Sequence, residues 1–177
     1  TIVLGLVVSG SCIAETWTVD DDGKADFDNI QAAVDAADSG DTIEIFPGVY
    51  SESVEIWNKV LTIQKADSSI NEEVIIDGTG LDTQALLYVS PGNHGTAISG
   101  ITFQDSPNRG LWVDDCNYVN VINCKVQNNS LGGMLCSPGD NTLIKNCKVL
   151  NNTGDAGIKM KYGTIDSCLV SGNNQGS

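Results

Sequence analysis

The sequence is poor in positive charge, in histidine and in long apolar runs, and each shortage removes a class of function. Nine lysines and arginines stand against 23 aspartates and glutamates, a net charge of −14 over 177 residues. Such a surface repels phosphate backbones and anionic lipid, which argues against nucleic acid and against membrane-surface binding. The single histidine, His94, sits in a turn after Pro91-Gly92-Asn93 with no partner for acid–base work in view, and Arg109 is the only arginine. No apolar stretch reaches the ~20 residues a helix needs to cross a bilayer. An acidic chain with only 6% aromatics could be disordered. Here 41% of residues are hydrophobic and they are patterned, so a single folded domain with a sizeable core is expected.

Residues 1–14 form a separate unit. Thr1 to Gly10 is a short apolar run followed by small residues up to Cys12-Ile13-Ala14. This reads as the h-region and cleavage zone of a secretory signal, with its basic start missing, and cleavage after Ala14 would leave Glu15 first. Two alternatives stay open: lipidation at Cys12, or an ordinary strand. The expected product is a domain over 15–177, secreted or held at the cell surface.

The remainder repeats. Ile98-Ser99-Gly100-Ile101-Thr102-Phe103, Val121-Ile122-Asn123-Cys124-Lys125-Val126, Ile144-Lys145-Asn146-Cys147-Lys148-Val149 and Ile165-Asp166-Ser167-Cys168-Leu169-Val170 align without gaps at intervals of 23, 23 and 21 residues. A second register, Leu87-Tyr88-Val89, Leu111-Trp112-Val113, Met134-Leu135-Cys136 and Ile158-Lys159-Met160, runs in phase, and Gly110, Gly133 and Gly157 precede its last three members. Apolar and polar residues alternate within each run, as in strands with one buried face. Runs this short bury nothing alone. Stacked coil upon coil, they bury a continuous column and pair every strand above and below. The fold expected is all-β, a right-handed parallel β-helix. Leucine-rich repeats would show their leucine signature and helical half, and an antiparallel sandwich would not yield an equal-interval ladder.

Six cysteines could signal disulfides. Loss of Cys12 would leave an odd five. Cys124, Cys147 and Cys168 share one inward position in successive coils, with Ile101 in the coil before, so a reduced, buried ladder is expected, in which thiols act as small hydrophobes. No histidine completes a metal site. Asn123, Asn146 and Ser167 stand beside the ladder as turn residues, since asparagine tolerates left-handed backbone.

The N-terminal part differs. Trp17-Thr18-Val19 reads as a strand and Asp20-Asp21-Asp22-Gly23 as a turn. Phe27, Ile30, Val34 and Ala37 have helical spacing between Asp26 and Asp38, with Asp28 and Gln31 as a capping box and Gly40 as the stop. A short α-helix here would cover the open end of the β-helix. Further strands are expected at Thr42–Phe46, Val54–Ile56, Leu61–Ile63 and Val74–Ile76. The repeat runs unbroken into Ser177, so the natural protein is expected to continue.

The stretch from Trp17 to Ile56, WTVDDDGKADFDNIQAAVDAADSGDTIEIFPGVYSESVEI, closely resembles the opening motif of pectin-lyase-like β-helix proteins, and most of all the NosD-like repeat proteins of archaeal and bacterial surfaces. The resemblance extends over most of the chain from Thr16 and implies the fold. It implies no one reaction, because the superfamily holds lyases, hydrolases, esterases and non-enzymatic surface proteins. The glutamine, aspartate and arginine motifs of pectin methylesterases are not found. Phe103-Gln104-Asp105-Ser106 falls in a strand position and is given no role. Arg109 lacks the surroundings of a pectate-lyase base, so catalytic residues stay unassigned.

Two outward columns are the candidate site. Tyr88, Trp112, Leu135 and Lys159 form one; Ser90, Asp114, Ser137 and Lys161 form the other. Tyr88 and Trp112 could stack on sugar rings, while Asp114, Asp115, Lys159 and Lys161 bond hydroxyls or uronate groups. The alternative is ordinary packing under a loop. Asp114, Asp115 and Asp140 could add to a Ca²⁺ site; Asp20, Asp22 and Asp26 fit a turn better than a Ca²⁺ loop. No other cofactor is implied. Asn128 and Asn151 head glycosylation sequons of the kind that arise readily in asparagine-rich turns. The expected function is a surface or secreted module binding polysaccharide or envelope glycans. The alternative is a polysaccharide lyase or glycoside hydrolase with catalytic coils beyond Ser177. A third reading, metal-centre maturation, would need exposed soft ligands.

Overall fold

A computed structural model describes residues 13–67 and 72–174, so all but the last two residues of the expected signal segment 1–14 lie outside the described residues. Along the chain come β1 (Thr16–Val19), α1 (Ile30–Ala36), β2 (Thr42–Ile45), β3 (Gly48–Tyr50), β4 (Val54–Ile56), β5 (Thr62–Lys65), β6 (Val74–Asp77), β7 (Ala85–Val89), β8 (Ala97–Ser99) and β9 (Ile101–Gln104). They are followed by β10 (Arg109–Val113), β11 (Asn120–Ile122), β12 (Lys125–Gln127), β13 (Gly132–Cys136), β14 (Thr142–Lys145), β15 (Lys148–Leu150), β16 (Ile158–Met160), β17 (Gly163–Asp166) and β18 (Leu169–Ser171). These strands make three sheets, ordered β1-β2-β5-β8-β11-β14-β17, β4-β7-β10-β13-β16 and β3-β6-β9-β12-β15-β18. Every pairing is parallel, and the chain visits the three sheets in rotation, which is a parallel β-helix.

Both sequence registers are reproduced. Ile98, Val121, Ile144 and Ile165 pair along the seven-stranded sheet. Leu87, Leu111, Met134 and Ile158 pair along the five-stranded one. Their side chains fill the bore with Val126, Val149 and Phe103, all buried except in the last described coil, where Ile165 and Val170 are exposed. The gapless six-residue motif proves to be two strands. Its inward residues Val121 and Cys124 lie three apart, which no straight strand allows. A left-handed residue turns the corner between them: Gly100, Asn123, Asn146 and Ser167, with φ of 74°, 56°, 53° and 55°. Cys124 and Cys147 are buried and free, as expected, while Cys168 is half-buried. The Cys147 neighbour and burial push the Cys124 thiol well up.

A second ladder escaped the sequence reading. Asn129 and Asn152 are fully buried. Asn129 Nδ2 donates to Asn152 Oδ1 at 2.8 Å, and Asn152 Nδ2 to Asn173 Oδ1 at 2.9 Å. The same carboxamides accept the backbone N–H of Ser106, Asn129 and Asn152 in successive coils. This ladder explains the glycines of the second register. A Cβ on Gly133 would collide with the Gly157 carbonyl and lie 2.8 Å from Val149 Cγ1 and 3.0 Å from Asn152 Nδ2.

The capping helix is real but shorter than its apolar spacing implied. Its N-cap is Asn29, whose side chain accepts from the Ala32 N–H, and it ends at Ala37 rather than at Gly40. Asp28 and Gln31 form no capping box. Gln31 instead bonds to Asp35 and to the Glu55 backbone, and Glu52 accepts the N–H groups of Ile30 and Gln31 at 2.7 and 2.9 Å. Phe27 lies outside the helix, bridged to Val19 and edge-on to Trp17 at 5.7 Å. Asp41, 3% exposed, ties the cap together by accepting from Glu15 N, Trp17 Nε1 and Asp38 N. Those bonds hold its carboxyl below the usual carboxylate range.

Candidate functional site

The outer face of the five-stranded sheet carries a row of aromatic rings. In-register parallel strands place Glu55, Tyr88, Trp112, Leu135 and Lys159 side by side. Tyr88 and Trp112 are therefore brought together as expected, with ring centroids 5.1 Å apart and nearly edge to face. Trp57 extends the row, 5.4 Å from Tyr88 and tilted 58° to it. Trp57 is 50% exposed and its Nε1 donates to Glu55 Oε2 at 2.9 Å. The sequence reading missed it because Val54 pairs with Leu87 across a coil longer than the 23 or 24 residues of the later ones. The equal spacing begins only after that coil.

The polar residues divide. Tyr88 OH donates to Asp114 Oδ2 at 2.9 Å, and burial together with that carboxylate pushes the Tyr88 hydroxyl up to about 12. Asp115 is exposed, in left-handed backbone with φ 45°. Ser90 was expected to face outward, yet it is fully buried. The chain bends inward after Val89, and Asn93 Nδ2 donates to Ser90 Oγ and to the carbonyls of Ser90 and Ile56. Lys159 is held by Asp155 at 2.8 Å, two coils from Trp112. Lys161 lies 5.0 Å over the Tyr162 ring. Neither lysine joins the aromatic row. The cation that does is Arg109, 5.7 Å over Trp112 and 3.9 Å from Asp155. Trp112 Nε1 is buried without a hydrogen-bond partner.

Beside Trp57 and Tyr88 is a cavity of about 380 Å³, lined by these rings and by Ser53, Glu55, Asp82 and Gln84 among others. A second concavity, about 400 Å³, lies at the Asn123–Asn146 corner with Lys125 and Lys148 side by side. Among the described residues no three carboxylate, thiol or imidazole groups are grouped to hold a metal ion, so Asp114, Asp115 and Asp140 do not converge. Asp26 accepts from Thr18, Asp22 pairs with Lys24 and Asp20 accepts from the Asp22 N–H, which makes that segment a turn. Asn128 and Asn151 are exposed corner residues with positive φ.

Among the described residues no helix is long and apolar enough to cross a membrane. No curated protein matches the sequence significantly. Solved structures do match in shape. A pectin methylesterase mutant in complex with a hexasaccharide is 16% identical, with a TM-score of 0.60 over 91% of this chain and 58% of that one. A rhamnogalacturonan lyase is 11% identical, with a TM-score of 0.69 over 88% and 56%. The pectin methylesterase from Aspergillus niger is 17% identical, at 0.60 over 86% and 55%. This chain thus spans little more than half the length of each, and at these identities the likeness is one of fold, the pectin-lyase-like parallel β-helix. The model of the right-handed β-helix region matches residues 84–177, more than half of the chain. With its in-register parallel coils and stacked cysteine and asparagine ladders, this chain belongs to the right-handed β-helix family.

Proposed function

We propose that the aromatic face of the five-stranded sheet binds polysaccharide, and that the chain serves as a non-catalytic recognition module of a secreted or cell-surface protein. The observation that carries this reading is the row Trp57–Tyr88–Trp112, with ring centroids 5.4 and 5.1 Å apart along one face. Flat apolar rings flanked by hydrogen-bonding groups suit sugar rings, which present an apolar face and a hydroxyl edge. The names of proteins sharing the fold, a methylesterase of pectin and a lyase of rhamnogalacturonan, support the ligand class.

Titration with a panel of neutral, acidic and amino-sugar oligosaccharides, read by tryptophan fluorescence and calorimetry, tests the reading. At least one class should bind, and Trp57→Ala should weaken it about tenfold or more, on the scale of a lost aromatic anchor. Absence of binding, or binding indifferent to Trp57→Ala, would overturn it. Unsaturated or newly reducing ends accumulating with time would replace it by a lyase or hydrolase reading.

A further inference from the structure

The cavity beside Trp57 and Tyr88 is charged on one sign only. Glu55 and Asp82 line it, and Asp114 stands behind the Tyr88 hydroxyl. Among the described residues no lysine or arginine contributes to its wall. The cation on this face, Arg109, lies on the far side of Trp112 against Asp155, and Lys159 is engaged by the same carboxylate. A galacturonate carboxylate entering here would meet carboxylates and no counter-charge. A protonated amine would meet the opposite: two carboxylates, and two tilted rings whose faces attract cations.

We infer that this cavity takes a cationic sugar, a glycan of 2-amino-2-deoxyhexose units with free ammonium groups, rather than the uronates implied by the names of proteins sharing the fold. One ammonium would sit between Glu55 and Asp82 against the Trp57 ring, with the adjoining residue stacked along Tyr88. The Trp57–Glu55 hydrogen bond already fixes one wall in place, so little ordering of side chains opposes binding. The inference rests on the proposed polysaccharide-binding reading and narrows its ligand.

The test compares three probes on the full chain: glucosamine pentamer, its fully N-acetylated counterpart, and oligogalacturonate with and without Ca²⁺. The glucosamine pentamer should bind at least about tenfold more tightly than the acetylated one at low salt. That margin should shrink at high salt, where the Debye length falls to about 3 Å. Glu55→Gln, which preserves an acceptor for Trp57 Nε1, and Asp82→Asn should each cut binding of the amine form several-fold more than binding of the acetylated form. Equal binding of the acetylated and free-amine forms would overturn the inference while sustaining polysaccharide binding. So would preferred binding of oligogalacturonate, whether direct or bridged by Ca²⁺. Failure of all three probes, together with the wider panel, would remove both readings.

Discussion

Replacing Asn152 by alanine should be among the most damaging single changes outside the apolar bore. Asn152 is fully buried and serves four groups. Its Oδ1 accepts the Asn129 N–H at 3.0 Å and Asn129 Nδ2 at 2.8 Å, and its Nδ2 donates to the Val126 carbonyl at 3.0 Å and to Asn173 Oδ1 at 2.9 Å. Asn173 Oδ1 would keep the Asn152 N–H, and Asn129 Nδ2 would keep a long bond to the Phe103 carbonyl. The Asn129 N–H and one acceptor site of Val126 would be stranded in the interior. A buried group left unpaired costs about 1–3 kcal/mol, and the Val126 carbonyl, losing one of its two acceptor sites, falls at the low end, so the total comes to about 2–4 kcal/mol. That is a large share of the 5–15 kcal/mol typical of a domain. Urea unfolding followed by circular dichroism should show the midpoint falling by about 1–2 M for slopes of about 2 kcal/mol/M. Asn151→Gly, one residue away, is the control. Asn151 is exposed in left-handed backbone with φ 54°, where glycine is at ease, so its midpoint should hardly move. Equal shifts for the two variants would refute the ladder as a source of stability.

The same unfolding assay checks the sheet register: Ile144→Asp, at a fully buried position, should unfold or nearly unfold the chain, since it forfeits about 1.5–3 kcal/mol of burial and adds an unpaired charge. Lys145→Thr removes only an exposed pair with Asp166 at 3.1 Å and should cost under about 1 kcal/mol. Gly133→Ala should destabilise by about 1–3 kcal/mol, because its methyl group meets the Gly157 carbonyl and Val149. Gly92→Ala faces open space and should cost about 1–2 kcal/mol, through its φ of 88° alone. For Asp41, the folded carboxyl titrates below its unfolded value, so the native state binds fewer protons and stability is lost as pH falls through that interval. Melting temperature should hold down to about pH 4 and then drop, and Asp41→Asn should flatten part of that drop; an unchanged acid limb would contradict the role of Asp41 in the cap.

Translational pattern was enough to read the coils from sequence. Ile98, Val121 and Ile144 recur at a fixed interval because a parallel stack puts identical environments one coil apart, so equal spacing in the chain becomes equal position in space. Helical spacing marked the cap, though its limits were set by tertiary contacts: Glu52, more than twenty residues away, binds the first N–H groups, and Phe27 is drawn off to Trp17. The Asn129–Asn152 ladder looked like surface turn residues because composition cannot say which of two adjacent asparagines faces inward. The left-handed corner at Asn128 and Asn151 decides it, exposing the first and burying the second.

The candidate site divides in the same way. Tyr88, Trp112 and Asp114 were legible because they lie in coils of regular length. Trp57 and Asp82 were not, since the coil joining β4 to β7 is longer and only folding brings it alongside Tyr88. Sequence alone thus determined the solenoid, its two registers and the cysteine column, all of them consequences of local alternation repeated at one interval. The tertiary structure alone decided which polar residues are buried, where Lys159 and Lys161 point, and that the cavity beside Trp57 and Tyr88 is acidic. Those outcomes depend on the direction each corner turns and on which coils stack, and neither is written in any single stretch of chain.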